Sequence, residues 1–269
     1  MKLFDSHCHL NDKIYAGDMD QVMLRAAAAG VRGMMIVGID GPTSRQAVSL
    51  ARKHTGNDMA CVASVGVHPH DASACTEKMI EELTALAKNP EVRSWGETGL
   101  DFNRMYSSRE DQEKWFIRQL EAADALNLPL IFHERDSKGR FLEILNAHYG
   151  EAGRAGVVHC FSGNRKEMDA YLKLGLHIGV TGIVTIQSRG KELREMAVHI
   201  PAERLVVETD APYLTPAPEK NKTRRNEPAF VRSVLMKLAE IRKTDPETLA
   251  QIVWDNTCRL FKIPQESII

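Results

Sequence analysis

Short apolar runs alternate with longer amphipathic stretches along this chain. The apolar runs predict strands over 3–9, 33–39, 61–67, 92–97, 128–133, 155–160, 176–182 and 204–209. The stretches between and after them predict helices near 18–29, 43–54, 77–88, 108–126, 137–148, 165–174, 189–199, 226–242 and 245–261. Leu205-Val206-Val207 and Ile36-Val37 are apolar on both faces, the pattern of strands in a parallel sheet covered on both sides. Ser107-x-x-Glu110 before the stripe of Trp115, Phe116, Leu120, Ala123 and Leu126 predicts a capping box. Pro129 disfavours helix at Leu128, and Gly30 and Gly175 suit the position just past a helix end. The segment 217–225, with two Lys and two Arg, reads as the most loop-like stretch.

Strict strand–helix alternation predicts a parallel α/β architecture. Eight such units favour a closed (β/α)8 TIM barrel over an open doubly wound sheet, and no G-x-G-x-x-G follows the first strand. Such a barrel takes about 250 residues, so the 269 residues are expected to form one domain, 1–269.

Composition narrows the setting. A net charge of −1 supplies no global field for nucleic acid, so any such partner must be held by a local patch. Five scattered cysteines without a C-x-x-C argue against a disulfide framework or a thiolate zinc site. Together with the lack of a signal-peptide core or a long apolar span, they predict a cytoplasmic protein with no membrane partner. The expected form is a monomer.

Candidate chemistry sits at the strand ends, which converge at one mouth of a parallel barrel. His7 and His9 are two apart on the first strand, so both rings reach the same face while Cys8 points to packing. Glu97 closes a buried run, where a lone carboxylate is costly. An ion pair with Arg93 or Arg104 is one answer. Beside the other candidates, a carboxylate bridging two metal ions is the better one. His133 and His159 each follow an apolar run and complete a second ligand set with Glu97. Asp210 lies nearer the mouth than Glu208 and suits a ligand or general base, while Glu208 suits orienting a histidine. His68, Arg104, Arg135 and Arg225 are the candidates for seating phosphates, with a solvated surface charge as the plain alternative for Arg225. The helix near 226 could receive an anion at its N-terminus. His70 and Asp71 read as a turn and helix cap.

Seven motifs carry a resemblance. They are Asp5-Ser6-His7-Cys8-His9, Gly66-Val67-His68-Pro69-His70-Asp71, Gly96-Glu97-Thr98-Gly99-Leu100-Asp101-Phe102, His133-Glu134-Arg135-Asp136, His159-Cys160-Phe161-Ser162-Gly163, Glu208-Thr209-Asp210-Ala211-Pro212-Tyr213 and Arg225-Asn226-Glu227-Pro228. In this order, over nearly the whole chain, they resemble the TatD family of metal-dependent deoxyribonucleases within the amidohydrolase-like barrels. The resemblance implies a (β/α)8 barrel with two divalent metal ions. His7, His9, Glu97 and Asp210 would hold one, and Glu97, His133 and His159 the second. It implies hydrolysis of DNA, possibly also RNA, at single-stranded ends and often from the 3′ end. Mg2+ is the expected ion for activity, with Zn2+ or Mn2+ also suited to these donors. Glu134 is an unusual middle residue in the family's His-x-Arg motif and is expected to alter charge near the mouth.

The residues themselves leave an alternative, a metal-dependent ester or amide hydrolase such as an aminoacyl-ester deacylase on the same barrel. A carboxylate rather than a modified lysine at the bridging position favours the phosphodiesterase. A metal-binding scaffold without turnover is the third and weakest reading.

Overall fold

The computed structural model describes residues 1–56, 58–149 and 154–264. Eight strands form one sheet in sequential order, every pair parallel: β1 (Leu3–Cys8), β2 (Val31–Ile36), β3 (Ala60–Val65), β4 (Val92–Asp101), β5 (Leu130–Arg135), β6 (Gly156–Val158), β7 (His177–Val180) and β8 (Leu205–Val207). A parallel bridge between Cys8 and Ala211 brings β1 back to the end of β8, closing a (β/α)8 barrel.

The helices are α1 (Met19–Ala28), α2 (Gly41–His54), α3 (Glu77–Leu86), α4 (Arg109–Ala125), α5 (Arg140–His148), α6 (Arg165–Lys173), α7 (Lys191–Ala197), α8 (Ala217–Lys220), α9 (Val231–Arg242) and α10 (Pro246–Leu260). The main apolar core lies between strands and helices, built by residues such as Leu3, Met34, Ala63, Leu120, Ile144 and Val207. A second cluster of Phe4, Met35, Val62, Ile131, Val157 and Val206 is joined by Trp254, Cys258 and Phe261 of α10. That helix packs on β1 and β8 and plugs the end of the barrel where the strands begin. The mouth where the strands end is left for polar residues.

Each predicted strand and helix has its counterpart, with shifted boundaries. β4 runs four residues past its expected end because Thr98–Asp101 pair in register with Phe132–Arg135 of β5. Gly99 permits this closeness: at φ +146°, a Cβ there would lie 1.9 Å from the carbonyl oxygen of His133. Gly30 and Gly175 take positive φ at the helix stops, as expected. The α4 cap is one residue later than expected. Ser108 accepts the N–H of Asp111 at 3.1 Å. Buried Ser107 is occupied elsewhere, accepting from the Ser73 N–H at 2.9 Å and donating to the His70 carbonyl at 2.8 Å. The loop-like stretch 217–225 contains the short helix α8. The helix expected from 226 begins as a 3-10 turn, Pro228–Phe230, before α9. Among the described residues, no helix is long and apolar enough to cross a membrane.

Candidate metal centre and active site

Closure of the barrel builds one wall of the site. The Asp210 N–H donates to the His7 carbonyl at 2.9 Å, and the His9 N–H donates to the Ala211 carbonyl at 2.7 Å. Buried Asp5 locks the same corner by accepting from the Thr209 N–H at 2.8 Å and from the Thr209 hydroxyl at 2.5 Å. Burial pushes its carboxyl up to about 8. A register irregularity in β1 between Asp5 and Cys8 falls where the strand delivers His7. Cys8 turns away, its thiol donating to the Met35 carbonyl at 3.3 Å. Asp210 adopts φ +57°, a left-handed conformation that Asp tolerates better than most residues.

The six residues proposed as ligands from the sequence meet at the floor of the mouth, and Glu97 is their hub. Its Oε2 lies 3.4 Å from His7 Nε2 and 3.8 Å from His9 Nε2. Its Oε1 lies 2.7 Å from His133 Nδ1 and 3.5 Å from His159 Nε2. Asp210 Oδ1 stands 3.4 Å from His9 Nε2 and 3.8 Å from His7 Nε2. The two oxygens of one buried carboxylate therefore face different imidazoles, Oε2 those of His7 and His9, Oε1 those of His133, His159 and His68.

These donors suit divalent ions. Four donors about 2.1 Å from one ion lie roughly 3–3.4 Å apart, close to the separations seen. The Nε2 atoms of His7 and His9 face each other at 3.2 Å between two carboxylate oxygens. Such a convergence of lone pairs and negative oxygens calls for positive charge between them. The pKa shifts express the same demand. Burial opposes charge on His159, yet the carboxylates of Glu208 and Glu97 push it up to about 10. Burial likewise opposes charge on His133, and hydrogen bonds to Asp101 and Glu97 raise it to about 9. Despite its own burial, Glu97 is held well below the usual carboxylate range by the surrounding imidazoles. The clusters His7–His9–Glu97, His7–His159–Asp210 and Glu97–His133–His159 each gather donor atoms close enough for one ion.

Beside these six residues, His68 caps the 3-10 turn Pro69–Ala74, its Nδ1 accepting the His70 N–H at 3.0 Å. The neutral ring therefore carries its proton on Nε2, which lies 3.4 Å from Glu97 Oε1. The cap expected from His70 and Asp71 is thus supplied by His68. His70 instead turns toward the mouth and shares a proton with buried Asp101, Nε2 to Oδ2, at 2.7 Å. Asp101 also receives the backbone N–H groups of Asn103 and Arg104 at 2.9 and 2.8 Å.

The mouth opens on a cavity of about 620 Å³ whose wall includes Arg104, Arg135, His68, His70, Arg189, Tyr106 and Tyr213. Arg225 does not line it. Its guanidinium grips Asp18 through two bonds of 2.7 Å and lies over the Tyr15 ring. In the structure Arg225 is held by this ion pair rather than directed into the mouth. Glu134 also turns from the mouth, accepting the Ser137 hydroxyl at 2.6 Å and the Ser137 N–H at 3.1 Å. Sequence reasoning gave no role at the mouth to His70, Asp101, Arg189 or the two tyrosines. His70, Asp101 and Tyr213 lie inside the recognisable motifs, a signal that Arg189 and Tyr106 lack.

A closed parallel barrel with a histidine–carboxylate centre at its mouth defines the class, a barrel hydrolase furnished for divalent metal ions. The chain matches the family described as TatD related DNase over residues 4–262. It is 43% identical over 263 residues to the 3'-5' ssDNA/RNA exonuclease TatD of Pectobacterium parmentieri, covering 97% of this chain and all of that protein. With the protein of the same name from Salmonella typhimurium it shares 42% identity over 263 residues, covering 97% of this chain and 99% of that one. The crystal structure of a TatD homologue from Escherichia coli K12 superposes with a TM-score of 0.88 at 29% identity, covering 97% and 98% of the two chains. This chain belongs to the TatD-related DNase family and is, as a member, a metal-dependent nuclease.

Proposed function

We propose that this chain, acting as one barrel unit, removes nucleotides from the 3′ end of single-stranded DNA, and of RNA, with two divalent ions shared by Glu97. The observation that carries the reading is the division of the Glu97 oxygens, Oε2 toward His7 and His9, Oε1 toward His133 and His159. His7, His9, Glu97 and Asp210 would hold one ion, and Glu97, His133 and His159 the other. Divalent ions there supply Lewis acidity toward a phosphoryl group and make water easier to deprotonate. Mg2+ suits the carboxylates, while the four imidazoles also suit Zn2+ or Mn2+. The substrate and polarity are supported by the two 3'-5' ssDNA/RNA exonucleases that this chain matches nearly end to end.

The chain's own residues do the rest. Asp210 has its carboxylate on the cavity wall and kept ionised, burial being outweighed by the neighbouring imidazoles. It is placed to take the proton of the attacking water. Arg104 and Arg135 stand exposed at the rim, where their guanidinium groups can hold phosphates in bidentate fashion. His68 presents its Nε2 proton toward the floor beside Glu97 and can donate it to a phosphoryl oxygen. Five free cysteines are consistent with a reducing compartment such as the cytoplasm.

The test is product analysis on 5′- and 3′-labelled single strands with Mg2+ or Mn2+ added. The reading expects a 5′-labelled strand to shorten stepwise. A metal-loaded protein that leaves DNA and RNA ends intact but cleaves a carboxylic ester would replace it with the deacylase alternative.

A further inference from the structure

We infer that Tyr106 and Tyr213 are stacking platforms for the two nucleobases that flank the scissile phosphate, an inference that rests on the nuclease reading above. Both rings are large, line the mouth, and are 66% and 54% exposed.

Their places in the fold are fixed. Tyr213 donates its N–H to the Asp210 carbonyl at 2.8 Å, and its own carbonyl accepts from Asn226 Nδ2 at 2.6 Å. Buried Asn226 also donates to the Thr209 carbonyl at 2.9 Å, which ties the segment to the end of β8. Tyr106 precedes Ser107, the buried residue that staples the β4–α4 loop to the turn after β3. Each phenol makes a T-shaped contact with an imidazole of the site. Tyr106 meets His70 with centroids 4.8 Å apart at 72°, and Tyr213 meets His9 at 6.0 Å and 67°. Among the described residues, no ring lies parallel on either tyrosine, so a face of each remains available.

Topology supplies the second argument. Tyr106 follows β4 and Tyr213 follows β8, four strands apart in a closed ring of eight. They therefore stand on opposite lips of the mouth, with Glu97 and its imidazoles on the floor between them. A phosphodiester lowered to that floor sends its two neighbouring bases toward opposite lips. Aromatic faces hold any base, because every base has a π-face. Two such platforms give grip on a single strand without sequence preference and reject a duplex, whose bases are already stacked on one another.

The test uses oligonucleotides with an abasic residue at the 3′-terminal position, at the penultimate position, or at the last three positions. On ordinary strands, Tyr106→Ala and Tyr213→Ala are each expected to lower kcat/KM about tenfold, chiefly through KM, with Tyr→Phe rescuing both. Each alanine variant should add no further loss when the base it serves is absent, and the two should answer to different positions. The stacking inference is overturned if both answer to the same position, if Phe fails as badly as Ala, or if the losses persist on the triply abasic end. Wild-type protein that cleaves no single strand at all would remove the nuclease reading itself, a separate outcome read before any variant.

Discussion

Glu208 accepts a hydrogen bond from His159 Nδ1 at 3.1 Å, which leaves Nε2 of that ring free to face Glu97. The Glu208 carboxylate also receives the Cys160 N–H and the Ser6 hydroxyl, so it is anchored on three sides. Gly179 makes room for it: a Cβ there would lie 2.7 Å from Glu208 Oε2. Glu208→Ala should therefore weaken metal binding by about 10–100-fold, the usual effect of losing a partner that orients a ligand. Glu208→Gln, which can still accept from His159, should lose less. Calorimetric metal titration checks this, and equal affinities in all three proteins would show that His159 needs no orienting partner.

Glu97→Ala removes the oxygens that serve both clusters. The expected result is a protein without bound metal at either position and an activity lower by at least about 10²–10³-fold, as for loss of a group that stabilises developing charge. Elemental analysis beside a nuclease assay decides it. Retention of two ions per chain would contradict sharing.

Asp210→Asn keeps the shape of the side chain but removes the basic oxygen. Loss in kcat of about 10²–10⁴-fold is expected for a general base, with substrate affinity largely kept. A loss confined to KM would move Asp210 from proton transfer to binding.

The arginines should separate by salt dependence. Arg104→Ala and Arg135→Ala each remove a cation from the rim and should flatten the slope of log affinity against log salt. Arg225→Ala should leave that slope unchanged and instead lower stability, because its partners are Asp18 and the Tyr15 ring. Fluorescence binding titrations at several salt concentrations, with thermal melts alongside, distinguish the two groups. A flattened slope for Arg225→Ala would restore the phosphate role that its position in the sequence suggests.

Far from the mouth, His177 at the start of β7 is buried, and burial together with Arg204 and Arg259 lowers its pKa to about 4. The unfolded chain binds a proton near 6.5, while the folded chain does so only near 4. Stability from this group is therefore fully present above about 6.5 and declines as pH falls toward 4. The decline amounts to about 2 kcal/mol at pH 5. Denaturant melts at pH 7 and 5 should show a smaller acid loss in His177→Gln than in wild type. Equal losses would mean that the ring takes up its proton without unfolding cost.

The strand–helix alternation could be read from sequence because its two periods are set by local geometry and burial. The convergence of His7, His9, Glu97, His133, His159 and Asp210 could be read because strand ends in a parallel barrel point to one mouth whatever the loops do. Side chains in the loops depend on turn geometry that no spacing specifies. His68 rather than His70 became the cap because its Nδ1 meets the His70 N–H. Arg225, two residues past Thr223, was drawn to Asp18 across 207 positions of chain. Glu134 caps its own turn through Ser137, a contact three residues away that competes with the mouth. Tyr106 gave no signal because an isolated aromatic in a loop has no periodicity, and Tyr213, though it closes a motif, carries no ligand chemistry that would mark it.

Sharing of the Glu97 carboxylate by two ions would be visible in an anomalous difference map from a crystal grown with Mn2+. Two peaks about 3.5–4 Å apart, one beside Oε2 near His7 and His9 and one beside Oε1 near His133 and His159, are predicted. A single peak, or two peaks that leave Glu97 uncoordinated, would contradict it.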